Sequence, residues 1–165
     1  MGAFVIDTLS GPVAFAAIPK CGQHTIAAYG GVMVDSAKIH VIATRIAFIR
    51  DPFDRLKSAF HFFKQTNCYV QCDHMSSYEK FIDWALDSDD EHVVPQHKFL
   101  FNSFNTLIKI EYMSEVMEEL TGSVVTPQNT SEHNMKCDAD YRADDIKSYY
   151  KEDYELYEEA LNGLH

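Results

Sequence analysis

Residues 44–65 read TRIAFIRDPFDRLKSAFHFFKQ, and within this stretch a strand pattern changes into a helix pattern. β-Branched and other apolar residues up to Ile49 are typical of a buried strand. Asp51 is a favourable helix N-cap, and Pro52 occupies the first helical position, where its missing N–H costs no hydrogen bond. Apolar residues then recur at helical spacing. The stretch therefore predicts a strand followed directly by a helix, which is the repeating unit of an α/β fold.

The same alternation is predicted elsewhere in the chain. Residues 12–18, PVAFAAI, favour a strand, and residues 24–30, HTIAAYG, favour a short helix that ends at glycine. Further strands are predicted over residues 3–7 and 105–113, and one or two strands over residues 38–49. Further helices are predicted over residues 76–88, 114–122 and 142–161, and the last of these is expected to break near Lys151. This order predicts a single domain over residues 1–165 of the α/β class. We expect a P-loop-like three-layer sandwich, in which helices flank a mainly parallel sheet.

Charge is divided unevenly along the chain. Residues 1–65 carry seven Lys and Arg against four acidic residues, a net charge of +3, whereas residues 66–165 carry −14. The acidic total of −11 argues against nucleic acid as a partner, because phosphates would be repelled. The basic first part can still bind a small anion.

The sequence also predicts where the protein resides. No apolar run approaches the roughly 20 residues that a membrane span needs. The first residues, MGAFVIDTLSGPV, lack the basic region of a signal peptide. We therefore expect a cytoplasmic protein without a membrane span.

The four cysteines fit reduced thiols in a chain of 165 residues better than they fit a disulfide framework. Cys68 and Cys72, flanked by His61 and His74, raise the alternative of a metal site. Their spacing matches no common zinc pattern, so the prediction is that no metal is bound.

Residues 16–30, AAIPKCGQHTIAAYG, predict a loop that binds an anion between a strand and a helix. Backbone N–H groups at such a turn point toward one place, and Gly22 allows close approach to them. Lys20 adds a full positive charge, and Thr25 adds a hydroxyl. Because no Gly immediately precedes Lys20 and no Ser or Thr follows it, the loop differs from the P-loop of nucleoside triphosphatases.

A second anion loop is predicted after the strand that ends at Ile49. Arg50 offers planar, paired donors that suit a terminal phosphate, and Ser58 lies two turns into the following helix. Ligands of parallel sheets bind at the carboxyl ends of the strands, where both loops are predicted to lie. Two such loops on adjacent strands indicate a ligand with two separate anionic ends.

The two loops resemble those of sulfotransferases. IPKCGQHTI, residues 18–26, resembles their 5′-phosphosulfate loop, and AFIRDPFDRLKSAFHFF, residues 47–63, resembles their 3′-phosphate motif. Later segments are similar to the carbohydrate, Golgi-type branch, namely YEKFIDWAL with HVVPQHKFL, LIKIEYMSEVMEEL, and YYKEDYELY. The chain thus resembles a minimal, soluble member of the enzymes that use 3′-phosphoadenosine 5′-phosphosulfate (PAPS).

This resemblance implies roles for particular residues. Lys20 would contact the transferring sulfonate and the bridging oxygen, as a catalytic and donor-binding residue. Arg50 and Ser58 would bind the 3′ phosphate. The rest of the first loop would bind the 5′ phosphate, largely through backbone donors: Cys21, Gly22, Gln23, His24 and Thr25. No metal is implied. The expected activity is transfer of a sulfonate from PAPS to a hydroxyl of a carbohydrate, a glycan or a small acceptor.

Transfer to a hydroxyl usually needs a base, and the sequence offers several candidates. His40, between the two loops, is the predicted base because histidine titrates in a suitable pH range. The other candidates are Asp35, His61, His92 and His97. Two alternatives to a sulfotransferase remain at this point: a non-catalytic domain that binds a nucleotide bisphosphate or a partner protein, and a P-loop-like nucleotide kinase that needs magnesium.

Overall fold

The computed structural model describes residues 2–66, 73–100, 104–124 and 137–164, and its centre is one five-stranded sheet. The strands, in chain order, are β1 Gly2–Thr8, β2 Gly11–Ala16, β3 Val32–Asp35, β4 Thr44–Ile49 and β5 Thr106–Lys109. Their order across the sheet is β3-β1-β2-β4-β5.

The sheet combines parallel and antiparallel pairs. β2, β4 and β5 run parallel to one another, whereas β1 pairs antiparallel with both β2 and β3. The predicted α/β class with a parallel central part is confirmed, and the antiparallel half lies toward the β3 edge. Because β2 and β4 are parallel neighbours, the loops that follow them leave the same edge of the sheet.

The described residues include six α-helices that accompany the sheet. They are α1 Gln23–Ala28, α2 Pro52–Gln65, α3 Tyr78–Ala85, α4 Met113–Thr121, α5 Ala143–Tyr149 and α6 Lys151–Glu159. The predicted start of α2 is confirmed, since the Asp51 side chain accepts a hydrogen bond from the Asp54 N–H at 3.0 Å. The predicted break near Lys151 is also confirmed, because α5 and α6 are separate helices on either side of Tyr150.

Alternating side chains of the strands form two cores, one on each face of the sheet. On one face Phe15 and Phe48 stack with ring centroids 5.9 Å apart, and this core includes Ile26 of α1 and Val116 of α4. On the other face Ala47 and Ile49 pack with residues of α6. These cores make the three layers that the sequence predicts. A third cluster joins α2, α3 and α5 without a strand residue.

Of residues 38–49, predicted as one or two strands, only Thr44–Ile49 form a strand. Residues Ser36–Val41 form a 3₁₀ helix, which begins where the Asp35 side chain accepts a hydrogen bond from the Ala37 N–H. Ile39 is fully buried against strand residues, while its neighbours on both sides are exposed. One anchoring side chain thus outweighs the β propensity of the segment. Strand β3, which precedes it, was not predicted.

No helix in the described parts of the chain has the combination of length and apolar character that crossing a bilayer requires.

Candidate active site

The two predicted anion loops meet at the carboxyl edge of the sheet. The first follows β2, and the second begins at Arg50, directly after β4. A guanidinium nitrogen of Arg50, Nη1, donates to the backbone carbonyl of Lys20 at 3.2 Å. The structure therefore brings together the two loops that the sequence assigned to opposite ends of one ligand.

Lys20 occupies a strained and positively charged position in the first loop. Its φ is 67°, in the left-handed region that non-glycine residues rarely adopt. Its Nζ lies 4.3 Å from the centroid of the Phe62 ring on α2, which is a cation–π distance. Burial, followed by the charges of Arg50 and Arg55, lowers the pKa of Lys20 to about 8. An anion placed here would offset the repulsion among these cations.

Glycine is favoured at position 22, where α1 begins, because of its backbone conformation. Its φ is 80°, and a Cβ at this position would lie 2.1 Å from Cε of Met113 in α4. The residues after it differ in exposure: Gln23 is half-buried, His24 is exposed and Thr25 is buried. The bulk of His24 therefore lies at the surface, where it does not displace the backbone of the loop.

Arg55, a buried residue of α2, binds the backbone of the first loop. Its side chain is 1% exposed, and its guanidinium donates to the backbone carbonyls of Pro19 at 3.0 Å, Val94 at 2.8 Å and Glu91 at 3.2 Å. The guanidinium therefore ties α2 to both the first loop and the segment before residue 96. Arg55 lies within residues 47–63, which resemble the 3′-phosphate motif, but the resemblance gave this arginine no role.

Gln96 is a site residue that the sequence analysis missed. It is fully buried, and its amide oxygen accepts from the thiol of Cys21 and from the N–H of Arg50, both at 3.0 Å. Its amide nitrogen donates to the Arg50 carbonyl at 2.7 Å. Burial raises the pKa of Cys21 to about 11, so the thiol keeps the proton that it donates. One side chain thus bridges both anion loops.

Asp153 of α6 supports this bridge from the far end of the chain. The carboxylate is fully buried and accepts from the backbone N–H of Gln96 at 2.6 Å and of His97 at 2.9 Å. Its Oδ1 also lies 3.0 Å from Nδ1 of the His97 ring. The closing helix motif therefore serves to hold the segment that carries Gln96.

Replacement of Gln96 by leucine is expected to lower the free energy of unfolding by about 2 kcal/mol, because the buried Cys21 thiol and the N–H and C=O of the half-buried Arg50 would lose their partners. Gln65→Leu, at the exposed end of α2, is the matched control and should change stability by less than about 0.5 kcal/mol. Urea denaturation of both variants measures the difference. Equal stability of the two variants would show that the bridge contributes nothing.

Ser58 lies on the side of α2 that faces the first loop. It is half-buried, and it stands one turn after Arg55 and one turn before Phe62. Arg55 bonds to Pro19, and the Phe62 ring carries the Lys20 ammonium. The predicted 3′-phosphate serine is thus on the same helix face as two residues that contact the loop of Lys20.

His40 is not brought to this site. It is exposed in the 3₁₀ helix Ser36–Val41, which leads into β4 where Thr44 pairs with Val13, at the amino ends of the parallel strands. At about 3.3 Å per residue, the two ends of β4 are about 16 Å apart. His40, predicted at the start of a strand, therefore lies in a 3₁₀ helix near the end of β4 that is opposite to Arg50.

The other base candidates differ in their surroundings. Asp35 is exposed and caps the 3₁₀ helix, and His61 is buried in α2. His97 is held by Asp153, with Glu152 at 3.5 Å from its Nε2. His92, by contrast, lies against the ring that contacts Lys20, since the Phe62 and His92 ring centroids are 4.9 Å apart.

Within residues 2–66, 73–100, 104–124 and 137–164, no group of three or more His, Cys, Asp or Glu side chains is arranged to bind a metal ion. Cys68 and Cys72, on which the alternative of a metal site depends, lie outside the described residues.

Lys20 and Arg50 lie in adjoining loops at the carboxyl ends of the parallel strands, which is where α/β proteins commonly bind their ligands. The profile described as Sulfotransferase family matches residues 27–133, which is more than half of the chain, and the chain belongs to that family. The match includes Arg50 and all of α2, and it begins after the loop of Lys20. No curated protein and no solved structure matches the chain.

Proposed function

We propose that this sulfotransferase-family chain transfers a sulfonate from PAPS to a hydroxyl of a carbohydrate or a related acceptor by in-line displacement. The observation that carries the proposal is the joining of the two anion loops, with Arg50 bonded to the Lys20 carbonyl and Gln96 bonded to both loops. A donor with a phosphosulfate at one end and a 3′ phosphate at the other fits a site built from two such loops.

Lys20 acts at the reacting end of the donor. As the bond between sulfur and the bridging oxygen breaks, negative charge grows on the departing 5′ phosphate, and the ammonium stabilises it. The positive φ of Lys20 orients its side chain, and the Phe62 ring contacts the ammonium. Cys21, Gly22, Gln23, His24 and Thr25 surround the 5′ phosphate. This chemistry requires no metal ion.

Arg50 and Ser58 act at the other end of the donor. One nitrogen of the Arg50 guanidinium is used on the Lys20 carbonyl, and the remaining N–H donors can bind the 3′ phosphate in a paired arrangement. Ser58 adds a hydroxyl from the facing side of α2. These two contacts would distinguish PAPS from nucleotides without a 3′ phosphate.

The charge of the chain narrows the acceptor class. Residues 66–165 carry a net charge of −14, which would repel a heavily sulfated polymer. A neutral sugar, a glycolipid or a small alcohol is therefore the proposed acceptor.

The test is transfer from PAPS to a mixture of neutral p-nitrophenyl glycosides, with EDTA present. We expect products that are heavier by one sulfonate and one adenosine 3′,5′-bisphosphate released for each, as mass spectrometry and chromatography report. Transfer of a phosphoryl group from ATP that depends on magnesium would instead identify a kinase. Binding of the bisphosphate without any turnover would identify a non-catalytic domain.

A further inference from the structure

We propose that His92, held by Asp90, is the base that takes the proton of the acceptor hydroxyl. The inference rests on the proposed function, because it assigns one further residue to the same transfer. Nothing in the spacing of the sequence distinguishes His92 from the other histidines, and the geometry around its ring is what does so.

Asp90 holds His92 in one orientation and one tautomer. Its Oδ1 accepts from the His92 backbone N–H at 2.9 Å and lies 3.0 Å from Nδ1 of the ring. A carboxylate only accepts, so Nδ1 carries the ring proton and Nε2 keeps the lone pair. No described residue forms a hydrogen bond with Nε2. The Asp90 N–H bonds to Oγ of Ser88 at 3.1 Å, which fixes the turn itself.

Two phenylalanines of α2 fix the plane of the His92 ring. It stacks on Phe62 with an interplanar angle of 19°, and it meets Phe63 edge to face with centroids 5.3 Å apart. Nevertheless, 19% of the His92 side chain is exposed, so solvent and an acceptor can reach the ring. A base that is oriented by packing and still accessible meets the requirement for proton transfer to a bound substrate.

Phe62 contacts both Lys20 and His92 and so limits the distance between them. The ammonium lies 4.3 Å from the Phe62 centroid and the imidazole 4.9 Å from it, so the two groups are separated by no more than the sum of these lengths. Three successive contacts of about 3 Å, from ammonium to sulfonate, sulfonate to acceptor oxygen and acceptor oxygen to base, fit within this upper limit. The acceptor hydroxyl would then lie between the sulfonate and His92.

In the transfer step, each bond that forms is matched by a bond that breaks. The acceptor oxygen forms a bond to sulfur while its O–H bond breaks, and the proton goes to Nε2 of His92. The bond between sulfur and the bridging oxygen breaks, and its electron pair goes to the 5′ phosphate of adenosine 3′,5′-bisphosphate, where Lys20 stabilises the charge. His92 leaves the step protonated on both nitrogens and paired with the Asp90 carboxylate.

The test compares the full-length chain with His92→Phe, which keeps an aromatic ring on Phe62 but cannot accept a proton. We expect release of bisphosphate from PAPS, with the p-nitrophenyl glycoside mixture present, to fall by about 10²-fold or more. The KM for PAPS and the calorimetric affinity for bisphosphate should stay near the wild-type values. Release also counts transfer to water, so the measurement does not depend on one acceptor.

Two further measurements separate a base from a packing residue. Added imidazole should restore part of the rate of His92→Ala and should not restore that of His92→Phe, where the site stays filled. Long-range ¹H–¹⁵N correlation spectra should show the Nδ1–H tautomer of His92 in the wild type, and Asp90→Asn should lower its population.

Several outcomes would overturn the inference. A wild-type rate in His92→Phe, an Nε2–H tautomer in the wild type, or a loss of rate in His40→Ala with none in His92→Phe would each exclude His92 as the base. If the wild type bound no bisphosphate, the proposed function itself would fail, and this inference would fail with it.

Discussion

Replacement of Lys20 by methionine is expected to lower the rate of sulfonate transfer by about 10²- to 10³-fold, as loss of one group that stabilises developing charge does in other enzymes. The affinity for adenosine 3′,5′-bisphosphate should change little, because backbone donors and Arg50 remain. Lys64→Met is the matched control, since Lys64 also lies over an aromatic ring of α2, with its Nζ 5.7 Å from the centroid of Phe60. A transfer rate within twofold of the wild type would contradict the role given to Lys20.

The same variant should not be less stable than the wild type at neutral pH. The pKa of Lys20 is about 8 in the folded chain, against 10.5 for the ordinary side chain, so burying the charged ammonium opposes folding. Between pH 8 and 10.5 the unfolded state binds more protons than the folded state, and wild-type stability rises with pH through this window. The stability advantage of Lys20→Met should therefore be largest below pH 8 and should shrink at pH 9.5. Thermal unfolding at both pH values measures it.

Replacement of Arg55 by methionine is expected to lower the free energy of unfolding by about 2 kcal/mol. The carbonyls of Pro19, Glu91 and Val94 would lose their donor. The cost of about 1–3 kcal/mol for an unsatisfied buried group applies to Pro19, which is buried, whereas water can replace part of the bond to the half-buried Val94 and to the exposed Glu91. Removal of a buried charge offsets part of this loss. Arg55→Lys should recover little, because an ammonium cannot reproduce the planar arrangement of donors.

Arg142→Met is the control for Arg55→Met in urea denaturation. Arg142 is exposed and pairs with Asp83 at 2.9 Å and with Asp145 at 2.7 Å. Such surface pairs contribute about 0–1 kcal/mol. If the two arginine variants lost equal stability, Arg55 would not be the tie between α2 and the first loop.

Local signals account for the parts of the fold that the sequence predicted. The N-cap at Asp51 and the proline after it define the start of α2 within a few residues. The β1–β2 hairpin likewise follows from two apolar runs joined by a short turn. The 3₁₀ helix Ser36–Val41 could not be predicted in this way, because it depends on the packing of Ile39 against Ala3 of β1 and Ala14 of β2.

The sequence predicted the part of the site that lies in local motifs, and it did not predict the part that depends on contacts between distant residues. Lys20, Arg50 and Ser58 belong to contiguous motifs, so their proximity follows once the parallel order of β2 and β4 is known. The bonds of Gln96 reach residues 75 and 46 positions away, and those of Arg55 reach 36 to 39 positions. No local pattern in the chain encodes such contacts. The choice of His40 as base lacks structural support because a position between the two loops in the sequence does not place this residue near them in the fold.

Calorimetric titration with adenosine 3′,5′-bisphosphate beside 5′-AMP tests most directly whether the two loops form one donor site. A charged hydrogen-bonded contact to the 3′ phosphate contributes about 1.5–3 kcal/mol, so we expect the bisphosphate to bind at least about tenfold more tightly than 5′-AMP. Arg50→Ala should remove most of this difference, because only the Ser58 hydroxyl would then remain for the 3′ phosphate. Equal affinity of the wild type for both nucleotides, or no binding of the bisphosphate, would contradict a two-loop site for PAPS.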